Sequence, residues 1–342
     1  MKKIILHVGS GKAGSTSIQQ ALLHSRKNKI NFIYPVMPDS SGNQVIRYAF
    51  SNSNALPKKI RDKCRDKDGT NILKYQESIK SALAYQCEYS DTVIISSEFL
   101  FSASKEEVID VGIFLRDLGF SHIHIIMYLR DPSKYYMSSA QQTLKKHFRI
   151  PVPSRFKYPI LEAVDQWLSI MPTTMTVREF DVMSLINGDV VKDFEQYLSS
   201  LGIDAELKLD HPLNESMSSE VAQAVQDCQR YLSKEINNDQ LRLVYRKKIR
   251  KLIRCGVVGG TKPKLKKGIE NYIHNRYSVQ LKELHSRYGI FDRILSNVFF
   301  QEGFVESDEY NCITSFKDVV DGFDNDLYEK IKIEMLGMDW LA

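Results

Sequence analysis

Two short stretches gather residues able to hold phosphate-like anions. Residues 9–17 read Gly-Ser-Gly-Lys-Ala-Gly-Ser-Thr-Ser. Gly9, Gly11, Gly14 and the small residues between them let backbone N–H groups turn inward onto an anion. Lys12 adds a mobile full charge, and Ser15, Thr16 and Ser17 add hydroxyls. The second stretch is Arg130-Asp131-Pro132, with Ser138 eight residues after the arginine. A guanidinium and a hydroxyl so placed can hold one terminal phosphate, the arginine through two N–H bonds. Glu98 is a carboxylate suited to general-base work, and His7, two residues before Gly9, is the alternative base. His124 reads as structural, and Asp39 is an outside candidate for the base. The plainer reading of these stretches is a glycine-containing turn without ligand, and a capped helix start with a surface serine.

Both stretches need elements to position them. Ile4, Ile5, Leu6 and Val8 form the near-continuous apolar run of a strand buried on both faces. A helix from Ser17 to about Asn28 would point its N-terminus, with its partial positive charge, at the loop. Thr92–Ser96 and His122–Leu129 are two further apolar strand patterns, closed by Ser97-Glu98 and Arg130-Asp131. Pro132 suits the first helical position, with Asp131 as N-cap, so Ser138 would lie about 9 Å along that helix. Helices are predicted over 72–88 and 105–118, the latter ended by Gly119. A short strand is expected at 31–34, and 38–54 reads as a loop able to cover an acceptor. Further along, a helix near 160–170, a strand at 174–178 and a helix over 189–201 continue the pattern. Helices are expected over 216–237, 240–254 and 269–288, with a basic loop at 256–268 and little pattern beyond Gly289. Alternating strands and helices predict an α/β fold with a parallel sheet covered on both faces, its ligands beyond the carboxyl ends of the strands. Gly9–Ser17, Ser96–Glu98 and Arg130–Asp131 all fall at such ends.

The loop is not the ordinary triphosphatase loop. Gly9 and Gly14 have the G-x-x-x-x-G separation, but Ser15 stands where lysine should follow, and the lysine is displaced to Lys12. Lys12-Ala13-Gly14-Ser15-Thr16-Ser17 resembles the 5′-phosphosulfate loop, K-[TA]-G-[ST]-[TS], of sulfotransferases that use 3′-phosphoadenosine 5′-phosphosulfate (PAPS). Ala13 stands where threonine is usual. Arg130 and Ser138 resemble the 3′-phosphate motif of the same family. Arg178-Glu179-Phe180, Leu201-Gly202-Ile203 and Asn214-Glu215-Ser216-Met217-Ser218-Ser219-Glu220 resemble segments of its bacterial members. A serine at 216 or 218 with a downstream glutamate is also a plain helix start. The resemblance spans roughly residues 3–232.

The resemblance implies a P-loop-NTPase-like three-layer α/β/α fold with a mostly helical C-terminal extension. A PAPS-binding core is expected over 1–205, and 206–342 is expected to complete the nucleotide and acceptor site as part of one integrated domain. It implies transfer of a sulfuryl group from PAPS to a hydroxyl, or less readily an amine, of a carbohydrate or glycolipid, with adenosine 3′,5′-bisphosphate (PAP) as product. Gly11, Lys12, Ala13, Gly14, Ser15, Thr16, Ser17, Arg130 and Ser138 would bind PAPS. Lys12 would stabilise the leaving group and Glu98, or failing it His7, would act as base. No metal is expected. The alternatives are a P-loop kinase, disfavoured by Ser15 and by the lack of an acidic Mg²⁺-binding strand end, and a non-catalytic nucleotide-binding protein.

Composition agrees with a folded globular protein: 342 residues, 43% hydrophobic and 26% charged. That balance argues against disorder. The apolar run at the N-terminus stops at Gly9, too short for a signal peptide, and no apolar stretch is long enough for a transmembrane helix. Five cysteines without a C-x-x-C pair favour reduced thiols and a cytoplasmic setting. The net charge of +5 is uneven, because 242–268 holds eleven basic residues and no acid, leaving 5 − 11 = −6 elsewhere. This stretch, 242–267 at its basic limits, reads as a solvated helix and loop, as a site for an anionic acceptor or a cover for the nucleotide, or as a membrane-surface contact. With Tyr245 its only aromatic residue, nucleic acid is the least favoured partner.

Overall fold

A computed structural model of the chain describes residues 2–25, 32–37, 43–64, 70–170, 173–209, 216–235, 247, 260–298, 300, 304 and 308–337. They form two compact units, each discontinuous in sequence. The first comprises 1–130, 159–213 and 283–291; the second comprises 131–158, 214–282 and 292–342.

The first unit is α/β. Its elements are β1 (Lys3–His7), α1 (Ser15–Ser25), α2 (Lys58–Lys63), α3 (Thr70–Cys87), β2 (Thr92–Ser96), α4 (Lys105–Asp117) and β3 (His122–Leu129). The chain later returns to it after α5 (Pro132–Leu144) with α6 (Ile160–Leu168), β4 (Thr173–Glu179) and α7 (Val190–Ser200). The strands form one parallel sheet in the order β2-β1-β3-β4. Lys3 lies beside Thr92 and His122, and His7 beside Ser96 and Ile126, so β1 and β2 end level while β3 runs three residues further, to Leu129.

Strand alternation divides the core. Ile5, Ile94, Ile126 and Tyr128 pack with Ile18 and Leu22 of α1 and with Val191, Phe194 and Leu198 of α7. Asp193 of α7 is buried there. It accepts the Tyr128 hydroxyl at 2.6 Å and an Arg178 N–H at 2.8 Å, which ties α7 to β3 and β4. On the other face α6 packs against β3, β4 and α4. Trp167 of α6 is wholly buried and donates its indole N–H to the Leu100 carbonyl. Gly112 lets α4 approach Ile170, since a Cβ there would lie 2.7 Å from the Ile170 side chain. Ser104 and Glu107 form a capping box at the start of α4.

The sequence pattern places α1, α3, α4 and β1–β4 closely, and four details differ. α1 starts at Ser15, two residues early. The expected strand at 31–34 is a single parallel bridge from Ile33 to Val93. Within the expected loop at 38–54, Asn43–Ala49 and Ser53–Ala55 are 3₁₀ turns, while 38–42, with Asp39, lie outside the described residues. Asn43 explains the first turn: its side chain accepts the Ser96 N–H and donates to the Pro35 carbonyl, with Val45 and Ile46 buried beside it. The predicted helix over 269–288 is two helices, α9 (Lys267–Arg276) and α10 (Ser278–Tyr288), separated at Tyr277. The Tyr277 N–H is shared between the Ile273 and His274 carbonyls.

The second unit holds α5, α8 (Ser219–Glu235), β5 (Lys264–Leu265), α9, α11 (Asp292–Asn297), α12 (Phe316–Val319), β6 (Val320–Asp321) and α13 (Asn325–Gly337). α8 packs against α5, α12 and α13, and β5 pairs antiparallel with β6. Polar side chains buried on α8 hold the surrounding chain. Gln226 donates to the Phe148 and Thr314 carbonyls and accepts the Phe316 N–H. Glu220 accepts the Thr261 and Asp324 N–H groups. Ser218 accepts the Val221 N–H, so this end of the family-like segment is indeed a helix start. The expected helix at 240–254 lies outside the described residues apart from Lys247. Among the described residues no helix is long and apolar enough to cross a membrane.

Candidate functional site

The loop between β1 and α1 is built in three steps. Past the end of β1 the chain still follows β3: the Val8 N–H donates to Ile126 O and the Ser10 N–H to Tyr128 O. A four-residue turn follows, closed by the Ala13 N–H on the Ser10 carbonyl, with Lys12 left-handed at φ 66°. That conformation costs a non-glycine residue on the order of 1–2 kcal/mol, so the surroundings must hold it. Gly14 is left-handed too, at φ 76°, and its carbonyl accepts the Ile18 N–H, which starts α1.

Each loop residue then has a distinct place. Ala13 is fully buried in the apolar cluster between the sheet and α7, so its methyl belongs to the core and only its backbone faces the loop. Thr16 is exposed and Ser17 half-buried. Ser15 is buried, and its hydroxyl makes no hydrogen bond among the described residues. It lies against Gly9, where a Cβ would come within 2.3 Å of Ser15 Oγ and 2.9 Å of His7 Nε2. The N–H groups of Ser15, Thr16 and Ser17 open α1 and have no intrahelical acceptor. They point out of the helix end, where its partial positive charge is concentrated.

Arg130 ties the end of β3 to this loop. Its guanidinium donates to the Lys12 carbonyl at 2.8 Å and lies 5.6 Å above the Phe180 ring. Phe180 also lies beneath the loop: a Cβ at Gly14 would meet it at 2.8 Å, and Val190 at 2.7 Å. Phe180 and Val190 therefore shape the loop from below, a role that sequence reasoning missed. The only signal was Phe180 closing the Arg178-Glu179-Phe180 run at the end of β4.

Glu98 opens a five-residue 3₁₀ turn, Glu98–Ser102, directly after β2. It is half-buried. Burial raises its carboxyl above the usual carboxylate range, and the charge of Lys12 works the other way. His7 is wholly buried. Its Nδ1 is 2.7 Å from the Ser96 hydroxyl, Tyr128 and Phe194 pack against its ring, and burial holds its pKa at about 3. It is thus a neutral imidazole beneath the loop, and its Nε2 has no hydrogen-bond partner among the described residues.

The first unit thus brings Gly11, Lys12, Ala13, Gly14, Ser15, Thr16, Ser17, Arg130, His7 and Glu98 to one end of its sheet. Ser138 is half-buried on α5, two turns from the Asp131 cap, in the second unit. In that unit Asp131 accepts the Ser133 N–H and pairs with buried His274 at 2.9 Å. Burial alone would raise the Asp131 carboxyl, but the His274 and Ser133 contacts outweigh it and hold it low.

No protein-family model matches the chain, and no curated protein is detectably similar to it.

Proposed function

We propose that the chain is a PAPS-dependent sulfotransferase with a P-loop-like α/β core, acting on a hydroxyl of a carbohydrate or glycolipid. One observation carries the reading: the loop with its lysine at Lys12, left-handed at Lys12 and Gly14, opens into the N-terminus of α1 and is held from the next strand by Arg130. The residues fit the donor substrate. The loop and helix N–H groups suit an anion, and the buried Ser15 hydroxyl supplies an orphaned polar atom at the same place. Arg130 is assigned the 3′-phosphate from its place in the family-like motif.

Transfer is an in-line displacement governed by positioning and charge neutralisation. Glu98 takes the proton of the acceptor hydroxyl, whose oxygen forms a new bond to sulfur. The bond from sulfur to the 5′-phosphate oxygen breaks, and that oxygen keeps the electron pair. Lys12 and the N-terminus of α1 stabilise the charge that grows there. The raised pKa of Glu98 brings it nearer to neutrality, where a general base works best. His7, sealed under the loop, is assigned a supporting role instead of proton transfer.

Calorimetry tests this directly. PAP should bind tightly and equally with or without EDTA. Preference for ATP·Mg²⁺ over PAP would refute the proposal. Lys12→Ala and Arg130→Ala should both abolish turnover, the second mainly through nucleotide affinity.

A further inference from the structure

A groove distinct from the loop runs along α4 on the first unit. Its volume is about 1200 Å³. That exceeds the space taken by one drug-sized ligand, so its dimensions suit an extended chain. One wall is the face of α4 that carries Glu106, Asp110, Phe114 and Asp117. These residues are three or four apart and therefore aligned, over about 16 Å of helix. Phe50, Lys80 and Glu162 of α6 also line it. Phe50 and Phe114 meet edge to face at 5.5 Å.

The charge of the groove decides between ligands. Arg47 is already paired with Glu107 at 3.1 Å. The other charged groups are four acids (Glu106, Asp110, Asp117, Glu162) and two lysines (Lys80, Lys105), a balance of 2 − 4 = −2. A polyanionic chain would be repelled. An oligosaccharide without acidic groups matches the surface. Its apolar ring faces can lie against half-buried Phe114, the Phe50 ring being covered by Lys80 Nζ at 5.4 Å, and its hydroxyls can both accept from lysines and donate to carboxylates.

The groove also leads toward the proposed base. The 3₁₀ turn that begins at Glu98 delivers Phe101 and Ser102 to the lining of the groove. At about 2 Å per residue, the turn from Glu98 to Ser102 spans roughly 8 Å, so the proposed base is joined to the groove lining by one short segment. We infer that this groove holds the non-reacting part of the acceptor, an oligosaccharide free of carboxylate and sulfate groups. The acceptor role rests on the sulfotransferase reading above.

The test is an array of immobilised neutral, amine-bearing and carboxylated oligosaccharides, probed with the full chain, alongside PAP calorimetry on the same preparation. Binding confined to neutral and amine-bearing oligosaccharides is expected. Phe114→Ala should lower that signal about tenfold with PAP affinity unchanged. The exposed substitution Asp110→Arg, which leaves the core intact, should do the same. No binding, binding of carboxylated chains alone, or full binding by both variants overturns the inference while PAP binding leaves the nucleotide reading standing. Oligosaccharide binding without PAP binding keeps the groove as a glycan site and removes its acceptor role.

Discussion

Gly14→Ala is the sharpest test of how the loop is built. The substitution carries two separate costs. The first is conformational, because a residue with a Cβ at φ 76° is disfavoured by about 1–2 kcal/mol. The second is steric, because the new methyl would lie 2.7 Å from Val190 Cγ1 and 2.8 Å from Phe180 Cε2. Both neighbours belong to the packed layer under the loop, and overpacking such a site costs about 1–3 kcal/mol. The variant should therefore unfold about 2–5 kcal/mol more easily, read as a lower urea midpoint with an unchanged slope. Val190→Ala makes room for the methyl and relieves part of the second cost only. In a double-mutant cycle the two changes should couple by about 1–2 kcal/mol in the stabilising direction. PAP affinity should fall in Gly14→Ala, because the N–H groups that open α1 move with the residue. Wild-type stability in Gly14→Ala, or strict additivity with Val190→Ala, would refute this account of the loop.

Other predictions concern titration and exposure. His7 stays neutral in the fold down to about pH 3, whereas an unfolded histidine protonates near 6.5. Between those values the unfolded chain binds the extra proton, so stability rises with pH, by up to about 1.4 kcal/mol per unit from this residue. His7→Gln should flatten the dependence of the urea midpoint on pH in that window, and an unchanged slope would contradict the burial argument. Lys12→Gln removes the charge that opposes the desolvation of Glu98, so the Glu98 carboxyl should titrate at higher pH by carbon-detected NMR. No movement would separate the two residues electrostatically. Iodoacetamide should label exposed Cys312 in the native protein and spare Cys87 and Cys228, which are buried with thiols pushed up to about 12. Mass spectrometry after labelling reads the outcome, and early modification of Cys87 would count against its burial at the end of α3.

Much of the first unit was legible because its signals are local. Ile4–Leu6, Val93–Ile95 and Ile123–Leu129 are apolar runs that only a doubly covered strand tolerates, and their ends carry the charged candidates. Ser104 with Glu107, and Asp131 with Pro132, mark helix starts within four residues of chain. Other features depended on distant partners. Asn43 turns the chain into a 3₁₀ segment because it satisfies Ser96 and Pro35, and no spacing rule announces such a bond. Tyr277 interrupts a helix-like pattern where its hydroxyl and the Arg276 guanidinium both reach the Phe156 carbonyl. Apart from α13 the elements after Gly289 are short, and Gln226 and Glu220 of α8 supply the hydrogen bonds that hold Phe316 and Asp324.

For the candidate site itself, the sequence alone determined which residues share a loop: three glycines, one displaced lysine and four hydroxyls between a strand and a helix. That much follows from covalent order, since neighbours in the chain remain neighbours in the fold. Their individual roles came only from the tertiary structure. Packing against α7 turned Ala13 into a core residue, and burial made His7 a neutral support. The alignment of β1 with β3 set Arg130 on the Lys12 carbonyl, 118 residues away in sequence. Phe180 and Val190 made Gly14 obligatory from below. These outcomes depend on which surfaces exclude water and which dipoles meet across the sheet, and neither is encoded in the spacing of residues along one strand.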